Sequence, residues 1–203
     1  MSESRKIHLV NLVIDYLNSL HPISNGFTIE LQKGLQPLLV RKSKFILSPI
    51  DNNECVYFVA NGLVRGFVKD DGKDITTWIS LGNEFIGAIQ HPNETIEPSF
   101  EYLQALEDTE LVALPNKLVH KLYDAYPESN IIGRKILALQ YHAASERSIL
   151  ARIPSAERRY EKFLEINSDY VSSVPLRCIA SYLGMRLETL SRIRSKMMKE
   201  MPV

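Results

Sequence analysis

The chain has 203 residues, enough for one large domain or two modest ones around a sizeable core. Its 24 basic and 24 acidic residues cancel, so the total charge points to no partner. Two distant cysteines, Cys55 and Cys178, are too few for a disulfide framework or a four-thiolate metal site. No apolar run reaches membrane-spanning length, and the N-terminal run carries Asp15 and Asn18 without a cleavage signature. A reducing, cytoplasmic setting without membrane contact is therefore expected.

The charge is unevenly placed. From Arg134 onward there are 13 Lys/Arg against 7 Asp/Glu, a net of +6, and the preceding residues carry a net of −6. A basic back half suits a polyanionic partner.

Ile7, Val10, Val13, Ile14 and Leu17 recur at helical spacing, and His21-Pro22 ends that helix. Ile29 to Gly34 suggests a further helical turn. From about Leu38 to Leu114 short β-rich runs alternate with turn residues, and "DDGK" between two of them is a hairpin signal. Several such strands predict an antiparallel roll or barrel. No glycine-rich phosphate loop precedes a helix.

After Pro115 the periodicity is helical. A short segment, Lys117 to Tyr126, stops at Pro127, and a long helix runs from about Glu128 to Ala151. Along it Ile132, Ile136, Leu139, Ala143, Glu146 and Leu150 recur in alternating steps of four and three. This heptad-like seam suits pairing with a second copy, and its competing reading is docking on the chain's own β-roll. Ser155 looks like the N-cap of "AERRYEKFLEI", with Glu157 in the first turn.

"PLRCIASYLGMRLETLSRIRSKM", Pro175 to Met197, reads as two helices joined by Gly184. Pro175 fits a helix start. Ile179 and Leu183 form an apolar stripe, Ala180 permits a close crossing, and Gly184 supplies a left-handed turn. Met185, Leu190 and Ile193 make the second helix's inner side. Glu188, Thr189, Ser191, Arg192 and Ser195 are left outside, flanked by Arg194 and Lys196. A polar, partly basic outer face after such a turn is the pattern of a DNA-reading helix pair. Arg192 matches guanine O6 and N7, and Glu188 can accept from cytosine N4. Thr189 and Ser191 suit phosphates or base edges, and Arg194, Lys196 and Lys199 suit phosphates.

The roll with "YFVANGLVRGF", "DDGK" and "LGNEFIGA", then the long helix and "IASYLGMRLETLSRIR", resembles the Crp/Fnr family of bacterial transcription regulators. The resemblance implies an α+β chain in three parts: residues 1–126 a cyclic-nucleotide-binding-like β-roll sensor, 127–152 a dimerisation helix, and 153–203 a helix-turn-helix DNA-binding domain. It implies a homodimer on double-stranded DNA, its near-palindromic half-sites ~34 Å apart. Glu188, Ser191 and Arg192 fall on the family's base-contacting positions. RNA polymerase and a small-molecule effector of unknown identity are the other implied partners.

The effector pocket is expected around Gly87, Ala88, Ile89, Ser99 and Phe100. Ala88 stands where cyclic-AMP-binding members carry a glutamate, and Pro98 stands where their arginine precedes the serine. Without that arginine's charge-assisted grip on phosphate, cyclic AMP is expected to bind weakly or not at all, unless Arg65 or Arg134 substitutes. No cofactor or metal is expected: the oxygen-sensing branch needs a cysteine cluster, and His91, His120 and His142 read as surface or packing residues. The family's β-hairpin wing has few residues to draw on after Lys199, and Arg186 stands where Ser or Thr would cap the second helix. Arg186 then has a phosphate contact as its compensating role, and salt-sensitive DNA binding is expected. The chief alternative is a small-molecule or cyclic-nucleotide receptor acting through protein contacts. A metal enzyme on a cupin-like roll would need clustered histidines, and the roll has only His91.

Overall fold

The computed structural model describes residues 1–51, 54–87, 100–167 and 171–200. Helix α1 (Glu3–Leu20) starts at Ser2, whose hydroxyl accepts the Arg5 N–H at 3.3 Å. Its buried stripe is Leu9, Val13 and Leu17, and Ile7, expected on that stripe, faces solvent. Ser24 caps α2 (Asn25–Gly34) in the same way, which makes it longer than the single turn expected.

Eight strands follow. They are β1 (Gln36–Val40), β2 (Phe45–Leu47), β3 (Cys55–Asn61), β4 (Val64–Asp70), β5 (Lys73–Ser80), β6 (Glu84–Ile86), β7 (Tyr102–Ala105) and β8 (Thr109–Pro115). They form two antiparallel sheets with orders β1-β8-β3-β6 and β2-β7-β4-β5. The β4–β5 hairpin turns on Asp71 and Gly72, with φ of 45° and 72°, the two left-handed residues a tight primed turn requires. Along β3, Phe58 points into a core beneath the helices and Val59 into the roll's interior. The strand period of two thus serves two cores at once.

Helix α3 (Asn116–Ala125) leads through Tyr126 to α4 (Pro127–Arg152), with proline at the start where no N–H is needed. At 26 residues, α4 spans about 39 Å. Two of the five apolar residues expected in its intermolecular seam do not face outward. Ile132, 3% exposed, lies in the core under α1–α3, and Leu150, 7% exposed, lies in a second core under the C-terminal helices. Ile136 packs partly on the first core. Ala143 is half-buried and Leu139 is 52% exposed. Heptad spacing marks an apolar face without naming its partner, and at these ends the partner is the chain's own core.

Helices α5 (Ala156–Asn167), α6 (Leu176–Tyr182) and α7 (Leu187–Glu200) enclose the second core, to which the roll contributes Leu63 and Leu106. Strand β5 is the last of its sheet, and α6 lies beside it. The Ser181 hydroxyl accepts the Thr76 N–H at 2.9 Å and donates to the Asp74 carbonyl at 3.0 Å. Among the described residues no helix is long and apolar enough to cross a membrane.

Candidate nucleic-acid interface and ligand cavity

Pro175 opens α6, and Cys178, Ile179 and Ala180 are buried, so the helix lies deep against its neighbours. Its exit is a closed C-terminal motif. The Met185 N–H donates to the Ala180 carbonyl at 2.9 Å and the Gly184 N–H to the Ser181 carbonyl at 3.1 Å. Gly184 has φ of 61°, the left-handed conformation this motif needs.

The Leu190 N–H donates to the Arg186 carbonyl at 3.1 Å, which puts Arg186 at the cap position of α7. Leu190 is fully buried, and Met185, Ile193 and Met197 pack partly beside it. Arg186, Glu188, Ser191, Arg192, Ser195 and Lys196 are exposed, and Thr189 and Arg194 are half-buried. Ser191, Arg192, Ser195, Lys196 and Lys199 border one shallow open recess. Lys196 also reaches Glu157 of α5 at 2.9 Å. The face expected to read DNA is thus assembled on one side of one helix, with its apolar side anchored.

Sequence reasoning missed the residue that ties this pair to the rest. Arg159 on α5 donates from Nε to the Leu183 carbonyl at 2.8 Å and from Nη2 to the Gly184 carbonyl at 3.5 Å. Its Nη1 donates to the carbonyls of Ile153 at 2.6 Å and Pro154 at 3.2 Å. A cation at the C-terminal carbonyls of a helix is also favoured by the helix dipole. Ser155 caps α5 as expected, accepting the Arg158 N–H at 3.3 Å.

A cavity of about 690 Å³ lies between the helices and the first sheet, walled by Leu17, Phe27, Leu31, Phe85, Leu114 and Ile136. Its polar wall carries Glu84, Glu101, Gln140 and Arg147, and the Gln140 side-chain amide donates to the Phe85 carbonyl at 2.9 Å. Burial pushes the Glu84 carboxyl above its ordinary range. Of the expected effector residues, Gly87 is on the cavity wall, and Phe100 is 82% exposed and off it. Ala88, Ile89 and Ser99, with Pro98 and His91, lie outside the described residues. Arg147 is the arginine on the wall, and neither Arg65 nor Arg134, the two considered as substitutes, lines it. Arg65 is buried elsewhere in the roll and bonded to Asp74 and Gln104, and Arg134 is exposed on α4. His120 borders the cavity. His142 lies on the exposed side of α4, 3.6 Å from Glu146. Among the described residues no cluster of His, Cys, Asp or Glu has the makings of a metal site.

No family model matches the chain. It is 25% identical over 122 residues to lysophospholipase nte1 of Neosartorya fischeri, a match that covers 60% of this chain and 8% of that much longer protein. It is 24% identical over 177 residues to the transcriptional activator protein Anr of Pseudomonas protegens, covering 81% of this chain and 70% of Anr. In structure it resembles FixK2 from Bradyrhizobium japonicum, with a TM-score of 0.70 and 22% identity over 82% of this chain and 85% of that one. A Crp/Fnr-family protein from Eubacterium rectale superimposes with a TM-score of 0.71 and 16% identity, over 92% and 88% of the two chains. The chain therefore has the Crp/Fnr fold: an antiparallel β-roll followed by a helical C-terminal region.

Proposed function

We propose that this chain is a transcription regulator that reads double-stranded DNA as a pair of identical copies. The observation that carries this reading is the division of α7. Leu190 is locked into a core, and Glu188, Ser191, Arg192, Ser195 and Lys196 stand together at the surface. Arg192 offers two N–H donors to guanine and Glu188, one turn earlier, accepts from cytosine. Thr189 and Ser191 take base edges or phosphates. Arg186, Arg194, Lys196 and Lys199 neutralise phosphates and hold the helix in its groove. Anr, a relative over most of this chain, bears the name of a transcriptional activator, which supports the same reading.

In this reading residues 1–126 sense, 127–152 pair, and 153–203 bind DNA, in the cytoplasm and in contact with RNA polymerase. Pairing uses the middle of α4, where Leu137, at the edge of the cavity, and Tyr141 and Ala144 are exposed at spacings of four and three. Leu139 and Ala143 flank that stretch. A two-fold pair reads a near-palindromic site, with half-sites one helical turn (~34 Å) apart. The effector, unidentified, occupies the cavity beside Gly87, whose largely apolar wall suits a molecule less polar than a cyclic nucleotide.

Selection from a random-sequence DNA pool tests the proposal. The protein should enrich one near-palindromic site, and Arg192→Ala should relax the choice at one base pair per half-site by ~1–3 kcal/mol. Enrichment of no paired site sinks the reading in favour of a receptor that works through protein contacts.

A further inference from the structure

We infer that Arg159 is a positioning residue that fixes the spacing at which the paired reading helices meet DNA. The inference rests on the DNA-reading proposal and goes beyond it by naming what sets the distance between half-sites. One planar guanidinium joins two structural units. Its Nη1 holds the carbonyls of Ile153, the residue that ends α4, and of Pro154. Its Nε and Nη2 hold the carbonyls of Leu183 and Gly184, the exit of α6 and the turn into α7. On one side, then, is the end of the helix that carries the pairing axis. On the other is the turn whose direction sets where α7 points.

Both sides are themselves stiff. The turn is closed by the bonds Met185 to Ala180 and Gly184 to Ser181, and α7 is anchored through buried Leu190. Leu150, one turn before Ile153, packs this same end of α4 into that core. Between these two units the chain itself supplies the short Ile153-Pro154-Ser155 connection and α5. Freedom about that connection would swing α7 relative to α4, and a two-fold axis doubles any such swing in the separation of the two reading helices. Four acceptors held by a single rigid fork remove it. A lysine, with its charge on one atom at the end of a flexible stem, cannot reproduce the fork.

The test compares affinities of full-length protein for its selected palindrome and for versions whose central spacer is one base pair longer or shorter. Wild type should prefer the selected spacing by tenfold or more. Arg159→Lys, which keeps the charge, and Arg159→Gln should bring that preference to threefold or less while selecting the same half-site bases. A purely structural role would weaken all three spacings by the same factor, so an unchanged ratio in a cooperatively folded Arg159→Lys protein overturns the inference. Arg159→Lys decides the matter even where Arg159→Gln fails to fold. A wild type that binds half-sites without any spacing preference overturns it as well. A wild type that selects no DNA overturns instead the reading on which it rests.

Discussion

Arg65 and Asp74, on neighbouring strands of the β4–β5 hairpin, are joined at 2.6 Å, with the arginine side chain only 7% exposed. Its Nε donates to Gln104 at 2.9 Å, and its guanidinium lies 4.0 Å from the centre of the Phe67 ring. The guanidinium is already paired with Asp74, bonded to Gln104 and stacked on Phe67, so turning it toward an incoming phosphate would cost it these contacts. Isothermal calorimetry with cyclic AMP should show no saturable binding in the micromolar range; a tight saturable isotherm contradicts this.

Removing that arginine should also destabilise the roll. Arg65→Ala strips Asp74 and Gln104 of their donor and uncovers Phe67, at a cost of roughly 1–3 kcal/mol in urea unfolding. Asp74 is partly exposed, and the solvent it retains keeps the loss at the lower end.

Gly66 sits against Trp78. A Cβ at position 66 would lie 2.2 Å from Trp78 Cε2, and the rigid indole has to move as a whole. Gly66→Ala should cost about 1–3 kcal/mol, the usual penalty of overpacking. Trp78 is the single tryptophan, so a shift of the native emission spectrum reports the displacement directly.

Gly184 is the contrasting case. Nothing lies within 4 Å of a Cβ built there, and its φ is 61°. The penalty of Gly184→Ala is then purely conformational, roughly 1–2 kcal/mol. Gly184→Asn should cost less, because asparagine tolerates the left-handed region. Equal losses for the two in denaturant melts would contradict a purely backbone origin.

Glu84 supplies a pH dependence with a definite sign. Burial raises its pKa in the folded chain above the ordinary 4.5, so the fold holds a proton that the unfolded chain releases. Stability from this group is greatest below pH 4.5 and falls as pH rises from there through the raised value. Glu84→Gln should remove that decline and be the more stable protein at neutral pH. The difference between the two stability-versus-pH curves isolates the effect from other carboxylates, such as Glu110, whose pKa Arg5 lowers.

What the sequence disclosed were features written in nearby residues. The "DDGK" turn, the Ser155 cap, the Gly184 turn and the outer face of α7 each rest on a pattern within a few positions. The seam on α4 went astray at Ile132 and Leu150 because periodicity reports an apolar face and not what covers it. Arg159 and Ser181 carried no signal at all. The partners that tie them to the rest lie 24 residues away at Leu183 and 105 away at Thr76, and an arginine on a polar helix reads as solvated surface. The cavity was beyond reach for the same reason, since its walls are drawn from both ends of the roll and four helices.

The two hydrogen bonds of Ser181 also bear on solubility. An outermost strand leaves a row of backbone donors and acceptors open, ready to template the strand of another molecule. On β5 those at Thr76 and Asp74 are taken by a helix side chain, and the adjacent Ile75 is already 40% exposed. Helix α6 thus shields an adhesive border. Moving α6 off the roll would bare that border at the same moment.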